Sequence, residues 1–162
     1  MPSDIPPPIQ PAGILTGLKI RPIVIGVVVD YVSTLICQLV YVSVLLGEEI
    51  LNEENLSEES INKVLTSPEH LLIFGLIGIL CVVLGGYVAG RVAKSAEVKH
   101  GAFVALVSLI LVTLEQVISG VTVSLPQWYQ AAGYIISVPA GALGGYIAQS
   151  QRESWGIKKQ NS

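Results

Sequence analysis

LGGYVA fills positions 84–89, and nearly the same run, LGGYIA, fills positions 143–148. Each run closes a long apolar segment, and its tyrosine is followed by a basic residue, Arg91 or Arg152. Lipid gives helices no hydrophobic reason to associate, so their contacts in a bilayer rely on small residues that let the backbones approach closely. The two runs therefore predict the tightly packed ends of two membrane-spanning helices.

The composition places the whole chain in a bilayer. Hydrophobic residues make up 51% of the sequence and charged residues only 13%, which is far from a soluble domain. Four segments are long enough to cross about 30 Å of hydrocarbon. They cover residues 23–46, 71–90, 102–125 and 128–148. We therefore predict an all-α membrane protein, a bundle of four transmembrane helices, with a Pro-rich tail at 1–22 and a second tail at 150–162.

The basic residues predict the orientation of this bundle. Of nine Lys and Arg residues, all except Lys63 fall on one side of an up-down-up-down arrangement. Basic loops stay in the cytoplasm. Both tails and the loop at 91–101 should therefore be cytoplasmic, whereas the acidic loop at 47–70 should be external. Within that loop we expect a short surface helix capped by Ser57, and a second helix start at Ser67 and Pro68.

Small residues recur at four-residue spacing on the second and fourth segments, as helix packing requires. The predicted packing residues are Gly78, Gly85, Gly86 and Gly90 on the second segment, and Gly133, Ser137, Gly141, Gly144 and Gly145 on the fourth. The repeated run is compatible with two parallel-related helical hairpins that arose by duplication. It is equally compatible with two helices that converged on one packing motif.

Polar residues form a stripe inside the first and third segments, and these are candidates for an intramembrane polar site. The residues are Asp30, Ser33, Thr34 and Gln38 on the first segment, with Glu115 and Ser119 on the third. Ionisable residues within a span usually face the bundle interior or water. The stripe predicts either a path for a cation or proton, or polar contacts that fix the packing of the helices.

The depth of each acid indicates its partners. At about 1.5 Å per residue, Asp30 lies roughly 10 Å and Glu115 roughly 20 Å from the cytoplasmic edge, so we expect no carboxylate pair. Glu115 should meet Gln38, which lies at the same depth. Asp30 should meet the hydroxyl of Tyr87 or Tyr146, with Arg91 at the edge of its reach.

Motifs for catalysis, cofactors or nucleic acid are not found in the sequence. His70 and His100 are predicted at opposite faces of the bilayer, so they cannot share a metal ion. Cys37 and Cys81 form no C-x-x-C pair, and we expect no disulfide between them. The net charge of −3 gives no support to nucleic-acid binding. We expect no enzyme activity and no cofactor.

The run LGGYVAGRVAK, followed by KHGAFVALVSLI, resembles the middle of small bacterial four-span membrane proteins of uncharacterised function. The shared features are a Gly-Gly-aromatic helix end, a basic turn and a His-Gly-Ala helix start, over roughly residues 70–115. This resemblance implies a prokaryotic inner-membrane protein and carries no functional residues with it.

Two functions are compatible with the sequence. The first is a non-enzymatic membrane protein that acts through helix contacts, as a homo-oligomer or as an accessory subunit of other membrane proteins. The second is a small ion- or proton-coupled transporter or channel that uses Asp30 and Glu115. Four helices leave little room for a pore within one monomer, so the second function would need an oligomer.

Overall fold

The computed structural model of the chain describes residues 13, 16–52, 65–119 and 125–160. Within these ranges the side chains of residues 46, 48–52, 119 and 156–160 are not described. The surface helix expected after Ser57 and nearly all of the Pro-rich part of the first tail lie outside the described residues.

Four helices make up the described chain. They are α1 (Ile20–Asn52), α2 (Pro68–Ala93), α3 (Glu97–Ser119) and α4 (Gln127–Gln160). The described residues contain no strand. All four helices are long and apolar enough to cross a membrane, which agrees with the four predicted segments.

The helices and the apolar segments differ in their limits. Helix α1 continues six residues beyond position 46 into the predicted external loop, and α4 continues through the predicted second tail to Gln160. Helix α3 is described as far as Ser119, and residues 120–124 of its apolar segment lie outside the described residues. An apolar run shows which part of a helix can lie in hydrocarbon. The helix itself can continue beyond this run, because its backbone hydrogen bonds form within the helix in water as well as in lipid.

The α2 helix shows how local sequence sets its two ends. It begins at Pro68, as predicted. Proline has no amide hydrogen, but the amides of the first turn have no partner within the helix, so proline is well tolerated there. Ser67 occupies the N-cap position in an extended conformation, as predicted, but its side chain makes no capping hydrogen bond. At the other end Lys94 takes a left-handed conformation (φ 55°), and its amide donates to the Gly90 carbonyl. Ala96 is also left-handed (φ 48°), so the chain reverses within three residues and starts α3.

Helices α2 and α3 lie at the centre of the bundle. Helix α4 packs extensively against both of them, while α1 packs mainly against α2 and less against α3. Contacts between α1 and α4 are few, so these helices lie on opposite sides of the central pair.

The two ends of the bundle differ in packing. We call the end with the α2–α3 turn the closed end, and the end with the start of α2 and α4 the open end. A buried cluster of Val27, Ala89 and Val104 fills the closed end, with Ile23 and Val107 packed on it. The closed end therefore holds the bundle together, and the open end carries the candidate site.

Candidate functional site

Glycines allow all four helices to make close backbone contacts at the closed end. A Cβ on Gly86 would overlap the carbonyl oxygen of Gly141, and a Cβ on Gly101 would overlap the same oxygen. On the other side of α2, a Cβ on Gly85 would lie 2.7 Å from the carbonyl oxygen of Gly26, which is closer than real Cβ atoms come. No side chain larger than hydrogen fits at these positions.

The rest of the predicted packing residues divide into two groups. Gly90, Gly144 and Gly145 also face backbone or Cβ atoms of a neighbouring helix too closely to admit a side chain. By contrast, a Cβ on Gly78 or Gly133 would meet no atom within 4 Å, so these two glycines are not at a close helix contact. The hydroxyl of Ser137 donates to the carbonyl of Gly133 one turn earlier, within its own helix. The predicted rows therefore pack only in their closed-end half, because the helices separate above it.

A cleft of about 620 Å³ opens where the helices separate. All four helices line it, and its walls are mainly apolar. Its ionisable acids are Asp30 and Glu115, and no Lys, Arg or His is among its described lining residues. Uncharged polar side chains in the lining are Thr34, Gln38, Ser108 and Ser137, and aromatic ones are Tyr31, Phe74, Trp128 and Tyr129.

Asp30 forms the floor of this cleft. Its side chain is buried, with 4% exposure, and its Cβ would lie 2.8 Å from a Cβ placed on Gly85. The Ser108 hydroxyl donates to the Asp30 carboxyl over 2.6 Å. The carboxyl therefore sits on top of the closed end with a hydroxyl partner from α3. Ser33 turns instead to the backbone, donating to the Asp30 carbonyl oxygen over 3.0 Å.

The predicted partners of Asp30 were wrong. The Tyr87 hydroxyl donates to Gln151 over 2.8 Å, and the guanidinium of Arg91 lies over the Tyr87 ring at 6.0 Å. Tyr146 is exposed. Asp30 lies at the predicted level, beside the glycines of α2, but its side chain turns towards α3 instead of the two tyrosines.

Glu115 lies about two helical turns above Ser108 on α3, roughly 10 Å along the axis. It accepts a hydrogen bond from the Tyr31 hydroxyl at 3.2 Å. The expected bond to Gln38 is not formed, although both residues line the cleft. Glu115 turns instead to Tyr31, which lies about two helical turns nearer the closed end than Gln38 on α1. The two acids occupy different levels of the cleft, in agreement with the expectation that they are not a pair.

Tyr31 and Glu115 separate the cleft from a second cavity. This outer groove lies between α1 and α3, has a volume of about 670 Å³, and is lined almost entirely by apolar residues. Among the described residues, Tyr31 and Glu115 are the two that line both cavities. Their hydrogen bond is therefore a polar link across the gap between α1 and α3. The side chain of Ser119, the last predicted member of the stripe, is not described.

Aromatic and histidine side chains join α1 to α2 near the open end. The Tyr41 hydroxyl lies 2.6 Å from Nδ1 of His70, and its ring contacts Phe74 edge to face with centroids 5.2 Å apart. The pairing of Tyr41 with His70 could not be identified from spacing along one helix. These contacts fix one edge of the cleft.

A buried histidine connects three segments at the closed end. His100 has no exposed surface, and its Nε2 accepts a hydrogen bond from the Lys19 amide at 3.0 Å. Its Nδ1 therefore carries the proton and donates to the Ala96 carbonyl at 3.0 Å. This neutral tautomer satisfies both ring nitrogens. His100 thus ties the segment before α1 to the α2–α3 turn.

An ion pair secures α4 to the same turn. Nε of Arg152 lies 3.0 Å from Oε1 of Glu97, an ionic contact that is not aligned as a hydrogen bond. The Arg152 guanidinium also donates to the Lys94 carbonyl over 2.6 Å. Glu97 is 3% exposed, whereas Arg152 is half exposed. From the sequence, Arg152 was placed only on the cytoplasmic side, and its pairing with Glu97 was missed because 55 positions separate the two residues.

No cluster of three or more His, Cys, Asp or Glu side chains that could hold a metal ion occurs in the described part of the chain. Cys37 and Cys81 are free thiols. Comparison of the chain with protein-family models, curated proteins and solved structures gives no match.

Proposed function

We propose that this chain is a small, non-enzymatic integral membrane protein that binds a cation in its cleft and carries it across the bilayer. The proposal places it in the cytoplasmic membrane with both termini and the closed end inside. The cleft then opens towards the external side, and its floor lies within the bilayer.

The observation that carries this proposal is the charge of the cleft. Asp30 and Glu115 are its acids, their described partners are hydroxyl groups, and no basic side chain is among the described lining residues. Acids within a span mark ion or substrate paths in membrane proteins. A cation in the cleft would supply the charge partner that the protein does not.

The closed end supports a carrier better than an open channel. Backbone contacts at Gly86, Gly101 and Gly141 leave no space for a continuous path through one chain. Passage therefore requires the closed end to separate while the open end narrows, or an oligomer that encloses a path between chains. A cation bound at Asp30 would lie directly above these glycines, so its binding could be coupled to the separation of the closed end.

The test is flux in proteoliposomes that contain the purified chain, with a pH-sensitive dye inside and a cation or proton gradient imposed. Asp30→Asn and Glu115→Gln should each abolish the wild-type flux while the helical signal of the protein remains. The matched control is Glu153→Gln, the same change at an exposed acid of α4 outside the cleft. Wild-type vesicles that pass no ion or proton would refute the proposal.

A second candidate is a protein that acts through helix contacts, as a homo-oligomer or accessory subunit. The closed-end half of the glycine rows is already packed within the chain, and Gly78 and Gly133 line the cleft, so the rows do not provide an outer contact surface. Its support is the outer face of α1, which scarcely contacts α4 and exposes Val24, Val28, Val32 and Leu39. The mass of the particle released by a mild detergent distinguishes a monomer from an assembly of identical or different chains.

A further inference from the structure

The lining of the cleft gives information about the size and chemistry of its ligand. A volume of about 620 Å³ lies within the range of drug-sized sites, roughly 300–1,000 Å³. An inorganic cation would need several oxygen ligands close together, typically six or more for calcium. Asp30 and Glu115 occupy different levels, and the walls between them are largely apolar. The cleft is therefore too large and too apolar to suit a bare metal ion.

Aromatic rings and acids together suit an organic cation. Tyr31, Phe74, Trp128 and Tyr129 line the walls, and the faces of such rings attract ammonium and similar cations. The acids add negative charge at the floor and at the α1–α3 wall. Apolar groups of the ligand would pack against the remaining wall residues, which include Leu35, Leu72 and Ile136.

The outer groove provides a route from the bilayer into the cleft. It runs along the gap between α1 and α3, the neighbouring pair with the least extensive packing. The Tyr31–Glu115 hydrogen bond is the polar link between groove and cleft, and Glu115 is the first charge that a molecule entering this way would meet. A lipophilic cation that is already dissolved in the membrane could displace the Tyr31 hydroxyl from the carboxyl and enter.

We infer that the cleft binds a lipophilic organic cation, which enters from the bilayer between α1 and α3 by opening the Tyr31–Glu115 link. This inference rests on the proposed function and names its substrate class. A transmembrane helix of a partner is a poorer occupant, because it would cover two acids without supplying a charge to pair with them.

The experiment uses tetraphenylphosphonium and the full-length chain in nanodiscs of zwitterionic lipid, with empty nanodiscs subtracted. Wild type should bind the cation saturably, and Asp30→Asn or Glu115→Gln should weaken binding about tenfold or more, since each removes a charge in a low-dielectric site. Glu153→Gln should bind as wild type does. If one acid variant does not fold, the other carries the comparison.

The outcomes distinguish a failure of the inferred substrate class from a failure of the proposed function. Equal binding of the neutral analogue triphenylphosphine oxide, or unchanged binding by both acid variants, would mean simple partition into an apolar cleft and would overturn the inference. Flux of protons or inorganic cations that depends on Asp30, without phosphonium binding, would leave the proposed function standing and remove the substrate class. Absence of both flux and binding would refute both.

Tyr31→Phe tests the entry route separately. It keeps the aromatic ring and removes the hydroxyl that donates to Glu115. The association rate of tetraphenylphosphonium should rise, because the α1–α3 link no longer has to break. An association rate equal to that of wild type would refute entry between these helices.

Discussion

Gly86→Ala is the most informative change at the closed end. The added methyl group would overlap the carbonyl oxygen of Gly141 and would lie 3.1 Å from its carbonyl carbon and Cα. These are backbone atoms, so no rotamer change relieves the overlap. Carbon atoms pack best at about 3.5–4.0 Å, so α2 and α4 would have to separate by roughly 0.5–1 Å.

The size of the effect follows from this separation. A gap of 0.5–1 Å forfeits a quarter to a half of each affected dispersion contact, and α4 packs extensively on α2. Overpacking of this kind costs about 3 kcal/mol at the upper end of its usual range. Replacing Gly by Ala within a helix returns about 1 kcal/mol. The net loss in free energy of unfolding is about 2 kcal/mol, or roughly a thirtyfold change in the unfolding equilibrium.

The assay is equilibrium unfolding by SDS in mixed micelles, followed by tryptophan fluorescence and circular dichroism. Gly78→Ala is the matched control, on the same helix two turns towards the open end, where a Cβ meets nothing within 4 Å. It should be neutral or stabilising by up to about 1 kcal/mol. Equal effects of the two substitutions would refute the division into a closed and an open end.

Two further predictions concern the polar contacts of the closed end. Arg152→Gln should lower the free energy of unfolding by about 2 kcal/mol, since it leaves the buried Glu97 carboxyl without its charge partner. The same SDS titration measures it, and combining it with Glu97→Gln should cost less than the sum of the single changes. His100→Leu should speed hydrogen exchange at the Lys19 amide, which loses its acceptor. His100→Gln keeps an acceptor and should exchange more slowly than His100→Leu, and identical rates in both variants and wild type would exclude this contact.

The fold was largely predictable because it depends on patterns along one helix at a time. Apolar length gave the four helices, and Ser67–Pro68 gave the start of α2. Four-residue spacing found glycines of both kinds, those at helix contacts and those in open space. It could not distinguish Gly86 from Gly78, because contact depends on where neighbouring helices separate and not on the spacing itself.

The acids that line the cleft stood out in the sequence, whereas their pairings did not. The cost of an ionisable residue within a span pointed to Asp30 and Glu115, and both line the cleft. Counting depth along straight helices gave the level of Asp30, but depth alone did not show that Glu115 bonds to Tyr31 and not to Gln38. The contacts Glu97–Arg152 and Lys19–His100 join residues 55 and 81 positions apart, and no local pattern marks either pair.

Reaction with dicyclohexylcarbodiimide, a membrane-soluble reagent for carboxyl groups, tests most directly whether the acids line a ligand cleft. The measurement is the extent of modification at each acid by peptide mass spectrometry, in native membranes with and without tetraphenylphosphonium. The cleft predicts modification of Glu115, and protection there by the phosphonium but not at Glu153 outside the cleft. An unreactive Glu115, or equal modification with and without the phosphonium, would contradict a cation-binding cleft in this protein.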